Sequence, residues 1–232
     1  DALPIYFWQP IMNLGNIFNN FINNIAYLER IFETIDEPVT VKDAENAKEM
    51  PKIQGKVTFD HVKFAYDETK TILKDVSFTV QPGESVALVG PTGAGKSTIV
   101  NLISRFYNVD SGRVLIDGQD ISDVTIHSLR SQMGIMMQDS FIFSGTIGDN
   151  IRYGKLTASE EEIQKASRIV CADEFISRMP GGYDTEVRER GSMLSQGQKQ
   201  LISFARTLLS DPSILILDEA TSSIDVQTEK AL

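Results

Sequence analysis

Residues 85–97 read Ser85-Val86-Ala87-Leu88-Val89-Gly90-Pro91-Thr92-Gly93-Ala94-Gly95-Lys96-Ser97. A short, almost wholly apolar run is the pattern of a strand buried on both faces. It runs into a loop of the form G-x-x-x-x-G-K-[ST]. The stretch behind it, IVNLISRFY from Ile99, reads as a helix. Strand, glycine loop and helix in that order form a phosphate-binding device. Glycines let backbone N–H groups turn inward and approach anionic oxygens. The helix start directs its positive end at the same point. Lys96 adds a mobile positive charge, and Ser97, followed by Thr98, offers hydroxyls to a metal ion or phosphate.

Working outward, ILILDE ends an apolar strand with Asp218 and Glu219. In an open α/β sheet, ligands collect at the carboxyl ends of strands. Asp218 is therefore expected in the Mg²⁺ shell, and Glu219 is expected to orient or deprotonate an attacking water. GRVLIDG and MGIMMQ read as further strands, while SEEEIQKASRIVCADEFISRM and QGQKQLISFARTLLS read as helices. Alternation of this kind implies an α/β core with a mainly parallel sheet. Before it, KVTFDHVKFAY and ILKDVSFTV alternate with period two and predict antiparallel β structure.

The first 36 residues differ from the rest. Positions 2–28 carry no charge, and Phe7, Ile11, Leu14, Phe18, Phe21, Ile25, Leu28, Phe32 and Ile35 alternate by four and three. That spacing predicts one long helix with an apolar seam. Asn13, Asn16, Asn20 and Asn23 form a second, polar seam. So many amides argue against a span facing lipid on all sides. Residues 37–54 are charged, contain Pro38 and Pro51, and lack periodicity, so they read as a linker.

The chain has 232 residues and a net charge of −10. An acidic balance argues against a nucleic-acid partner, since no broad surface would neutralise phosphates. One cysteine, Cys171, excludes an internal disulfide framework.

Leu194-Ser195-Gln196-Gly197-Gln198, opening the helix before ILILDE, resembles the ABC signature L-S-G-G-Q. Together with the phosphate loop and ILILDE it gives a close resemblance to the nucleotide-binding domain of ABC transporters, over essentially the whole chain. The resemblance implies a P-loop ATPase core with an antiparallel β subdomain and a helical subdomain at residues 55–232. It implies ATP and Mg²⁺ as ligands. Gly90 to Thr98 would hold phosphates. Ser195, Gly197 and Gln198 would meet the γ-phosphate held by a second such domain, as homodimer or heterodimer. Gln196 departs from the usual glycine. Tyr66 falls where the family stacks a ring on adenine. Gln138 matches the glutamine that approaches Mg²⁺. Asp225, in Ser222-Ser223-Ile224-Asp225, matches a loop at the dimer interface. TEVRERG, from Thr185, resembles the segment with which exporters touch their transmembrane domain. LERIFETIDEP resembles the end of an exporter's last transmembrane helix.

These likenesses imply an exporter ATPase at the cell membrane, attached through residues 1–36, with its nucleotide-binding domain on the cytoplasmic side. The alternatives are a degenerate regulatory half of a heterodimer and a soluble ABC ATPase. The family also carries a switch histidine beyond the catalytic glutamate. The sequence ends at Leu232, and neither His61 nor His127 stands at a matching place. This stretch taken alone is therefore expected to be C-terminally truncated and to hydrolyse ATP poorly.

Overall fold

The computed structural model describes residues 3–67, 70–136, 141–188 and 191–217. Contacts divide the chain into two units, residues 1–40 and 41–232. The first is dominated by helix α1 (Leu3–Ile35). The predicted seam is present as one uninterrupted helix, with Pro10 inside it. The seam residues from Phe7 to Ile35 stay exposed. No helix among the described residues is long and apolar enough to cross a membrane. Seven amides dilute the hydropathy that length alone would supply.

The second unit opens with an antiparallel sheet. Strands β1 (Val57–Ala65) and β2 (Thr71–Val80) are followed by β3 (Ser111–Ile116) and β4 (Gln119–Asp120). The spatial order is β2-β1-β3-β4. The predicted alternation sets the register: Phe59 lies opposite Phe78, their rings stacked 4.7 Å apart, and opposite Val114 on the other side. Helix α2 (Lys96–Ile103) follows the glycine loop and buries Leu102 in the same core.

Helix α3 (Ile126–Arg130) leads into β5 (Met133–Met136). The strand pair β6 (Gly145–Thr146) and β7 (Glu186–Val187) brackets helices α4 (Ile147–Arg152), α5 (Glu160–Ile169) and α6 (Asp173–Ile176). Helix α7 (Gln196–Leu209) then enters β8 (Ile214–Leu217), which pairs in parallel with β5. Buried apolar side chains fall into two clusters. One joins the antiparallel sheet to α2 and α3; the other joins α4, α5, α6 and α7. Strand β5 serves both, with Met133 in the first and Met136 in the second.

Three features differ from the sequence expectation or refine it. Residues 84–90 form no strand ladder, and Val86, Leu88 and Val89 are exposed. An apolar run supplies β propensity, but a strand needs partners for its N–H and C=O groups, and β5 and β8 pair with each other. The helical stretch from Glu160 is broken into α5 and α6. Cys171 takes φ +58°, Ala172 N–H donates to Ser167 O at 2.8 Å, and Cys171 N–H donates to Arg168 O at 3.2 Å. That bond pair is a Schellman ending with cysteine where glycine is usual. Finally, the charged stretch 37–54 is tied down from Lys42 onward. Arg105 donates to Lys42 O and Val124 O, the Asp43 carboxylate accepts from Ile126 N–H, and Gln132 bonds both Ile53 N–H and Pro51 O. Met50 and Ile53 are buried in the first cluster.

Candidate active site

The glycine loop has the conformation its composition requires. Gly93 and Gly95 take φ +83° and +92°, a region costly for side chains. A Cβ on Gly95 would also lie 2.8 Å from Leu73 Cδ2. Gly95 is the N-cap of α2, so the first N–H groups of that helix open toward the loop. The Lys96 ammonium spans the loop, donating to Gly90 O at 2.8 Å and Pro91 O at 3.1 Å. Pro91, Thr92, Ala94 and Ser97 are exposed, and Thr98 is buried. Left-handed glycines, a helix start and a lysine at one point fit an anionic, phosphate-bearing ligand.

Tyr66 stands at the end of β1 and is joined to the same helix. Its hydroxyl donates to Thr98 Oγ1 at 3.2 Å and accepts from Asn101 Nδ2 at 3.2 Å. Phe64 and Tyr107 meet its ring at nearly right angles, at 4.9 and 5.0 Å. Tyr66 as a whole keeps 47% of its surface exposed. An aromatic face beside a phosphate loop suits a nucleotide base.

The signature residues sit at the start of α7, on the second cluster. Ser195 is the N-cap: its hydroxyl accepts from Gln198 N–H at 3.2 Å, and the Gln198 side chain accepts from Ser195 N–H at 2.9 Å. This reciprocal capping box satisfies two backbone donors. Gln198 therefore has a structural task in addition to the ligand contact expected of it. Gln196 is exposed in the first turn, beside the half-buried Gly197. Phosphate loop and signature thus rest on different clusters of one chain.

Gln138, Asp218, Glu219 and Asp225 lie outside the described residues, as do Glu189 and Arg190 of TEVRERG. The strands that lead to three of them are described. Met136 pairs with Leu217 in parallel register, so the described parts of β5 and β8 end side by side at their carboxyl ends. Among the described residues, no three His, Cys, Asp or Glu side chains are grouped to hold a metal. Of the expected Mg²⁺ donors only Ser97 is described, exposed in the first turn of α2. In TEVRERG, Glu186 and Val187 form β7, and Thr185 O accepts from Ile147 N–H. His61 lies on the antiparallel sheet, its Nδ1 2.9 Å from Asp75 Oδ1, and His127 lies in α3.

Sequence reasoning missed three residues. Asn101 reaches Tyr66. Buried Asn150 and half-buried Arg206 fasten the segment beyond Gln138: Asn150 Nδ2 donates to Phe143 O, and Arg206 Nη1 donates to Phe141 O. Burial holds the Arg206 guanidinium below its ordinary pKa. Polar residues within helical patterns give no sign of such distant partners.

An α/β core whose strand ends, glycine loop and capped signature helix are arranged in this way defines a P-loop nucleotide-binding protein. The ABC transporter family profile matches residues 73–222. The chain is 56% identical over 223 residues to the uncharacterised ABC transporter ATP-binding protein YknV of Bacillus subtilis, covering 96% of this chain and 37% of that one. It is 46% identical to a fatty acid ABC transporter ATP-binding/permease protein of Mycobacterium tuberculosis, covering 96% and 35%. Among solved structures, a bacterial Atm1-family ABC exporter with ATP bound superposes with a TM-score of 0.84 at 46% identity, covering 97% of this chain and 40% of that one. The chain belongs to the ABC transporter family, and the fold and resemblance read from its sequence are borne out. It spans little more than a third of these curated relatives.

Proposed function

We propose that this chain binds and hydrolyses ATP within an ABC exporter and so drives substrate across a cell membrane. The observation that carries the reading is the loop at Gly93 and Gly95, with the Lys96 ammonium spanning it at the N-terminus of α2. Tyr66 would stack the base. Gly90 to Thr98 would cradle the phosphates, with Lys96 exchanging its loop carbonyls for phosphate oxygens. Ser97, Gln138 and Asp218 would hold Mg²⁺, which when bound would neutralise charge on the phosphates. Glu219 would align the attacking water and accept its proton. Catalysis of this kind is positioning plus electrostatics.

Ser195, Gly197 and Gln198 would complete the site of a second nucleotide-binding domain, with Asp225 at the interface between the two. Their seat on a cluster other than that of the phosphate loop supports this reading. Residues 1–36 would continue from a transmembrane domain, residues 37–54 would link it, and residues 55–232 would form the nucleotide-binding domain on the cytoplasmic side.

The test is Glu219→Gln in the full-length transporter. ATP binding should persist while steady-state turnover disappears. Retained turnover would remove Glu219 from the base role.

A further inference from the structure

Helix α2 begins at the phosphate loop, and two of its side chains also hold Tyr66. Thr98 and Asn101 are three positions apart and share a helix face. The phenol is fixed from both sides, donating to Thr98 Oγ1 and accepting from Asn101 Nδ2, each at 3.2 Å. Phe64 and Tyr107 meet the ring at nearly right angles, and Tyr66 stays partly exposed. Thr98 is buried and offers an anchor that cannot swing away. Asn101 is half-buried and is the side-chain donor to the phenol oxygen.

We infer that Asn101 is a positioning residue for nucleotide binding: it holds the Tyr66 ring in the plane that a purine base stacks on, and so ties base recognition to the helix bearing the phosphate loop. This rests on the reading of Tyr66 as the base platform. Asn101 itself touches no part of the ligand. A phenol with one hydrogen bond can pivot about that bond; a second bond from the same helix removes the pivot. Base platform and phosphate cradle then move as one body, and ring alignment does not have to be recovered on each binding event.

The experiment compares Mg²⁺-ATP with inorganic tripolyphosphate, which has phosphates and no base, by calorimetric titration of the full-length transporter. Asn101→Leu should weaken ATP roughly fivefold, the effect of one lost hydrogen bond, and leave tripolyphosphate unchanged. In a Tyr66→Phe background, Asn101→Leu should add nothing, because both variants remove the same bond. An equal loss for ATP and tripolyphosphate would overturn the inference and make Asn101 a structural residue of α2. So would full ATP affinity in Asn101→Leu, or additive losses in the double variant. Tyr66→Ala separates the two levels. If it leaves ATP affinity intact, the base-platform reading fails and this inference falls with it. If it weakens ATP while Asn101→Leu does not, the inference alone fails.

Discussion

The Arg206 guanidinium grips both oxygens of Asn150: Nε donates to the backbone carbonyl at 2.7 Å and Nη2 to the side-chain oxygen at 3.0 Å. Asn150 in turn holds Phe143 through both its N–H and its carbonyl. Replacing Arg206 with Met keeps the stem, leaves the Asn150 backbone carbonyl without that donor and leaves its side-chain oxygen with Phe143 N–H alone. The expected loss is about 1–3 kcal/mol, read as a lower urea midpoint. An unchanged midpoint would show that solvent replaces the guanidinium without cost.

Gly95 and Gly93 separate two kinds of strain. Both have positive φ, but only Gly95 has a neighbour in the way, since nothing lies within 4 Å of a Cβ on Gly93. Gly93→Ala should cost about 1 kcal/mol, and Gly95→Ala about 2–3 kcal/mol with weaker ATP binding. Leu73 Cδ2 must move to admit the new Cβ, a cost added to the backbone strain that both positions share. Chemical denaturation of both variants measures the order, and equal losses would remove Leu73 from the account.

Ser195 has a capping task separable from its proposed contact with a partner's nucleotide. Ser195→Ala should lower stability by about 1 kcal/mol through the lost N-cap. Ser195→Asp should keep the cap and restore stability. It should still weaken ATP-dependent association of two nucleotide-binding domains, because a carboxylate would face phosphate. Sedimentation with and without ATP distinguishes the outcomes, and undiminished association in the aspartate variant would contradict the sandwich reading.

Tyr183 supplies a pH test. Burial, with the hydrogen bond to Asp173 at 2.6 Å, pushes its phenol up to about 12. An ordinary tyrosine in the unfolded chain titrates near pH 10. Between those values the unfolded state releases a proton that the folded state keeps, so stability falls as pH rises. The contribution is complete below pH 10 and disappears as pH passes about 12. Tyr183→Phe should therefore shrink the gap between urea midpoints at pH 9 and pH 11. An identical gap in both proteins would exclude Tyr183 as the source.

The parts legible in the sequence were those with local causes. Period-two alternation gave β1 and β2, and glycine content gave the bend at Gly93 and Gly95. The LSQGQ run at the head of QGQKQLISFARTLLS marked the start of α7. The break at Cys171 was hidden because a cysteine in left-handed conformation has no compositional signal. The run at residues 84–90 stays exposed and unpaired because apolar content by itself supplies no strand partner. The bonds from Arg105 to Lys42, from Asn101 to Tyr66 and from Arg206 to Asn150 join residues far apart in sequence. No pattern within one element announces them.

By itself, the sequence determined the phosphate loop, the signature helix and the family, because these depend on residue types at fixed short spacing. Tertiary structure decided which helix anchors Tyr66, which side chains hold the segment beyond Gln138, and that phosphate loop and signature rest on separate clusters. The physical reason is that loops and caps are satisfied by backbone groups a few residues away. Buried polar side chains must find partners wherever the folded chain brings them.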